Sequence, residues 1–278
     1  MRDIRVGSLV RRRSHGGDIL FRVTHVFHDS GIALLRAVGV RLLADAPLDD
    51  LIPEGEHGEE LQRGFPFRRE GRPLLQAVSQ SARPVWEKIP PWSSKTPETQ
   101  AGKVLHVDGD PYYLELSLAA YRRAGVPAVG VSLQEPLMPR HILALLEKAQ
   151  PDILVLTGHD ALPSGRDPDR LESYRHSRFF VEAVRRARTA FEPHKDGLLI
   201  VAGACQSHYE EILAAGANYA SSPKRVNIHA LDPTLVAVRL ARTSVSVYLS
   251  PEEAILETKS GLSGIGGIES RGTLRRRT

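Results

Sequence analysis

One cysteine, Cys205, stands in a chain of 278 residues. A single thiol excludes an internal disulfide, and any zinc site in this chain has at most one thiolate. No apolar run approaches the ~18 residues that a membrane-spanning helix needs, so no membrane partner is expected. The opening stretch, MRDIRVGSLVRRRS, has charge without an apolar run behind it and does not read as a secretory signal. Charge of one sign is scarcely in excess: 37 Lys and Arg against 33 Asp and Glu leave a formal net charge of +4. So small an imbalance does not demand nucleic acid, which is not an expected partner. What the chain does have is 41% apolar residues, enough for a core, and its lone thiol suits a reducing cytoplasm.

Texture changes along the chain. Residues 1–52 carry short β-type runs at 7–12, 19–27, 31–37 and 40–44, separated by turn residues, which predicts a small SH3-like β barrel. Residues 53–101 are rich in Glu, Arg, Pro, Ser and Gln, and read as a partly disordered linker. One short helix is expected there at 74–82, and Trp86 and Trp92 are suited to docking. From 102 to 260 strands alternate with helices. Strands are expected at 103–107, 128–133, 153–156 and 198–202. Helices are expected at 112–124, 141–149 and 171–191, around 212–215, and at 233–242 with Asp232 as its cap. That alternation predicts an α/β domain with a mostly parallel sheet flanked by helices. Residues 261–278 are Gly- and then Arg-rich with no period, and predict a loop and a flexible end.

In such a sheet, functional groups collect beyond the carboxyl ends of the strands. Asp108-Gly109-Asp110 follows the first strand, Thr157-Gly158-His159-Asp160 the third, and Gly203-Ala204-Cys205-Gln206 the fourth. His159 and Cys205 therefore fall on neighbouring strand ends, where an imidazole can take a thiol proton. A helix opening at Cys205 would favour the thiolate, and backbone N–H groups there suit an oxyanion. Two other readings stand beside this one. Cys205 and His159 also fit as small core and packing residues, and His159, Cys205, His208 and His229 offer N and S ligands for zinc. No glycine-rich phosphate loop is present, and no cofactor is expected.

The blocks GKVLHVDGD, PDILVLTGHDA, YRHSRFFVEAV, VAGACQSHYEEILAAGANYASSP, VNIHALDP and GIGGIESRG resemble the YabG family of sporulation-specific proteases. More distantly, a strand ending in His and another ending in Ala-Cys about 46 residues later resemble the caspase-like cysteine peptidases. The resemblance implies a caspase-like fold, Cys205 as nucleophile and His159 as base. It implies spore coat proteins as substrates, in the mother-cell cytoplasm at the forming coat. It also implies an oxyanion hole from the N–H groups of Asp160 and Cys205. Asp160 stands where most caspase-like enzymes have Gly, so its side chain must turn away. In this fold the end of the first strand floors the S1 pocket, which implies Asp108, with Asp110 beside it, pairing with a P1 arginine. The competing reading of those two aspartates is a turn with a capping residue. Arg68, Arg69, Arg72 and Arg83 in the linker and Arg271 and Arg275 in the loose tail are then candidate self-cleavage sites. The alternative to an enzyme is a binding module that uses the N-terminal barrel for nucleic acid or coat assembly.

Overall fold

The computed structural model describes residues 4–54 and 99–276, in two units spanning residues 1–82 and 83–278. The expected helix at 74–82, Trp86, Trp92 and the linker arginines Arg68, Arg69, Arg72 and Arg83 lie outside the described residues. In the first unit, β1 (Leu9–Arg12), β2 (Leu20–Phe27), β3 (Ile32–Ala37), β4 (Leu43–Pro47) and β5 (Leu51–Pro53) form one antiparallel sheet in the order β4-β3-β2-β1-β5. Alternation builds it: Ala33, Leu35 and Ala37 turn inward with Val10, Phe21, Val23 and Leu51, while Leu34 faces out. The three-residue β5 is too short to show a period, which is why the sequence reveals only four strands.

The second unit is built on six strands: β7 (Val104–Asp108), β8 (Ala128–Ser132), β9 (Ile153–Thr157), β10 (Leu199–Ala202), β11 (Tyr219–Ser221) and β13 (Ile265–Gly267). Their order is β13-β11-β10-β9-β7-β8, parallel throughout except for β13, which runs antiparallel to β11. Short pairs of β6 (Thr99–Gln100) with β15 (Arg275–Arg276), and of β12 (Tyr248–Leu249) with β14 (Ser270–Arg271), lie beside it.

The strands are apolar on both faces, as a sheet covered on both sides requires. Leu105, Val107, Leu154, Leu156 and Ile200 pack against α2 (Met138–Ala149), α3 (Ser177–Arg186) and α4 (Tyr209–Ala214). Val104, Ile153, Val155, Leu199 and Val201 pack against α1 (Pro111–Ala124) and α5 (Asp232–Arg242). Two short helices, α6 (Pro251–Ala254) and α7 (Gly261–Gly264), precede the last strands. Among the described residues, no helix is long and apolar enough to cross a membrane.

Three expectations are corrected here. The helix expected over 171–191 begins only at Ser177, because the N–H groups of Arg175 and His176 are taken by Ala161 O and Asp160 Oδ1. Asp232 does not cap α5; it sits inside the first turn and accepts from the N–H groups of Lys259 and Ser260. The period-free tail is not a loop: Ile265–Gly267 is the edge strand of the main sheet, so a boundary at 260 cuts through this unit. Its glycines allow the close approach, since a Cβ at Gly266 would lie 2.5 Å from the Tyr209 hydroxyl and one at Gly267 2.4 Å from Asn218 O. Arg271 and Arg275 consequently lie in paired strands rather than in an open segment.

Candidate active site

Register brings the loops after β9 and β10 together, because Leu199–Ala202 pairs residue for residue with Ile153–Leu156. Side chains then tie the loops directly. Asp160, next to His159, accepts from the Ser207 hydroxyl at 2.9 Å, and Gln206, next to Cys205, accepts from Leu162 N–H at 3.1 Å. The Asp160 carboxylate also takes the N–H groups of Ala161 and His176 and the Ser177 hydroxyl. Ser177 in turn accepts His208 N–H, so α3 and the Cys205 loop meet at the same carboxylate. With its oxygens so engaged, the Asp160 side chain is turned into the protein. Its own N–H makes no hydrogen bond among the described residues.

His159 is held at several atoms. Its Nε2 lies 2.9 Å from Asp110 Oδ2, its N–H donates to Glu135 Oε1 at 2.7 Å, and its carbonyl accepts from His176 Nδ1 at 2.7 Å. The ring stands edge-on to Tyr113 at 5.9 Å. Nδ1 has no hydrogen-bond partner among the described residues, and the side chain is 23% exposed. Glu135 reaches this place because two glycines leave room. A Cβ at Gly109 or Gly158 would lie 2.2 or 2.1 Å from its Oε1.

Cys205 is 2% exposed. Ile228 N–H points at Sγ from 3.4 Å, and Ile228 O lies 3.9 Å from it. The backbone of 226–228 is fixed over the thiol by Gln206 N–H to Val226 O and by the Ser222 hydroxyl to Val226 O. Arg225 anchors the same segment to the Tyr174 hydroxyl and to Glu210. Burial pushes Glu210 up, but the hydrogen bonds and charge of Arg225 prevail and hold it below its ordinary value. Gln206 is left-handed (φ 57°), as is Ser222 (φ 67°), a conformation that costs a non-glycine residue on the order of 1 kcal/mol and collects at functional turns.

Two expectations about Cys205 and the aspartates change. Cys205 does not open a helix: α4 starts at Tyr209, has six residues, and is capped by His208. Asp108 is fully buried, with Oδ2 accepting the Thr157 hydroxyl and Oδ1 accepting Asp110 N–H. Asp110 caps α1 through Tyr112 N–H and contacts His159. Both carboxylates thus have hydrogen-bond partners inside the protein. Sequence reading missed Glu135 and Ser177. The signal available for Asp110 was its place before Pro111, the pattern of a cap followed by proline at the first helical position. His159, Cys205, His208 and His229 do not form a metal-binding group, and no three His, Cys, Asp or Glu among the described residues do.

A family model described as YabG peptidase U57 matches residues 5–278. The chain is 40% identical over 280 residues to the Sporulation-specific protease YabG of Bacillus subtilis (strain 168), covering 97% of this chain and 96% of that protein. Among solved structures, cystathionine gamma synthase from Xanthomonas oryzae pv. oryzae, in complex with cystathionine, aligns with 49% of this chain at a TM-score of 0.25 and 19% identity. The alignment spans 28% of that structure, a likeness too small to carry fold or function.

Proposed function

Since the chain belongs to the YabG peptidase family, and is therefore a peptidase of sporulation, we propose that it is a cysteine endopeptidase with Cys205 as nucleophile and His159 as its base. The observation that carries this reading is the pair of cross-loop bonds, Asp160 to Ser207 and Gln206 to Leu162, each made by the immediate neighbour of one of the two residues to the loop of the other. His159 Nδ1 takes the thiol proton, and the thiolate attacks the peptide carbonyl. The oxyanion is received by the N–H groups of Asp160 and Cys205. The protonated His159 gives its proton to the leaving amine, and water, deprotonated by the same imidazole, releases the thioester as a carboxylate. Segment 226–228 withdraws from Cys205 to admit substrate. None of these steps needs a cofactor.

We read the six-stranded sheet as caspase-like, because His159 and Cys205 lie in the loops that follow its adjacent strands β9 and β10. The five-stranded sheet is read as an SH3-like module that recruits protein substrate. Spore coat proteins are the proposed substrates, met at the forming coat in the mother cell. Cleavage after Arg is proposed on the carboxylates gathered at this strand end. Asp108 and Asp110 are occupied, so Glu135 is the better placed selector: among the described residues its Oε2 has only the 3.8 Å approach of His176 Nδ1.

Hydrolysis of fluorogenic peptides with Arg, Lys, Asp or Asn at P1, in wild type and Cys205→Ala, tests this reading. Arg peptides should be cleaved by wild type and turnover should fall at least about 10³-fold in the variant. Equal activity of the two proteins would sink the dyad. The binding-module reading is not supported, because the family is one of peptidases.

A further inference from the structure

We propose that Asp110 is the positioning residue of His159, holding the imidazole as its Nε2–H tautomer so that Nδ1 is free to accept the thiol proton. The inference rests on the reading of His159 as base. A carboxylate only accepts, and each Asp110 oxygen has its own donor. Oδ1 takes Tyr112 N–H and Oδ2 takes His159 Nε2–H, both at 2.9 Å. Its side chain is 5% exposed, so little water competes for either oxygen.

The support behind Asp110 runs in one direction. Tyr121 O–H donates to His106 Nδ1 at 3.1 Å, and His106 Nε2–H to Thr157 Oγ1 at 2.7 Å. Thr157 O–H donates to Asp108 Oδ2 at 2.8 Å, and Asp108 Oδ1 accepts Asp110 N–H at 2.9 Å. Every bond in that chain has one donor and one acceptor, and Tyr121, His106, Thr157 and Asp108 are fully buried. The chain fixes the Asp110 backbone, and the helix cap fixes its side chain, so His159 meets an acceptor whose position is set from two sides.

The cap makes the test sharp. In Asp110→Asn the amide oxygen must stay on Tyr112 N–H, because turning the amide round would set N–H against N–H. The NH₂ group then faces His159 Nε2, which must become an acceptor, and the ring proton moves to Nδ1. Asn caps a helix as well as Asp, so a merely structural Asp110 would tolerate the change. On the positioning reading kcat falls about 10³–10⁴-fold, as expected for an imidazole in the wrong tautomer, with KM and thermal midpoint nearly unchanged. Asp110→Ala, which leaves both tautomers open, should be less damaged than Asp110→Asn.

Nitrogen-15 NMR of His159 in the Cys205→Ala background reads the tautomer without turnover. It should report Nε2–H, and Nδ1–H once Asp110→Asn is added. An unchanged tautomer, or an Asn variant as active as wild type, overturns the proposal and leaves the dyad intact. Retained hydrolysis by Cys205→Ala would instead remove the dyad, and this proposal with it.

Discussion

At the scale of single residues, burial decides the chemistry more than residue type does. His229 follows the peptide that rests on Cys205, with Asp232 3.7 Å from its Nδ1. Burial disfavours its charged form more strongly than Asp232 favours it, and Lys259 adds to the depression, so the imidazole titrates below its ordinary 6.5. As pH falls through 6.5 the unfolded chain takes up this proton while the folded one does not, so stability is lost from there down to the folded value. Thermal melts between pH 7.5 and 5 should show a decline that flattens in His229→Gln; an identical slope would show that His229 is not the group responsible. Arg188 makes the same point structurally. In sequence it follows Arg185 and Arg186 with nothing to mark it. In the fold it is 6% exposed, donating to Leu198 O, Gly216 O and Asn218 Oδ1, and burial lowers it to about 10. Nothing in a local pattern distinguishes it from Arg185 or Arg186, because its carbonyl partners come from the turns that precede β10 and β11.

Strands and helices were the legible part of this protein, and the loops joining them were not. Runs of alternating or continuous apolar residues located β7 to β10 and the helices between them, because each buries a face long enough to leave a period. That was sufficient to place His159 and Cys205 on adjacent strand ends. It was insufficient to show that Glu135, from the turn before α2, sits between the loops after β7 and β9, since that contact depends on two absent Cβ atoms. Gly158→Ala should therefore act at a distance from its own small volume. The new methyl displaces the Glu135 carboxylate and frees His159 N–H, with a destabilisation of about 1–3 kcal/mol and a larger proportional loss of peptidase activity than of stability. Chemical denaturation alongside peptide hydrolysis checks both, and wild-type values in each would show that Glu135 relaxes without consequence.

For the molecule as a whole, the sequence boundary that fails is the one at 260. Truncation after that residue removes β13, β14 and β15, including Ile265, which is wholly buried against β11 and its neighbours. The thermal midpoint should fall by about 10 °C or more; a midpoint equal to that of the full chain would return these residues to the status of a tail. The family relation covers both units and extends past this boundary to residue 278. The backbone lying over Cys205 has one more consequence, for survival rather than catalysis. Sulfenic and sulfinic acids form on thiolates that oxidants can reach, and a sulfur 2% exposed is shut away from peroxide as effectively as from peptide. On the proposed mechanism, the movement that admits peptide to Cys205 is the one that lets its only thiol age, so each opening draws on a finite working life.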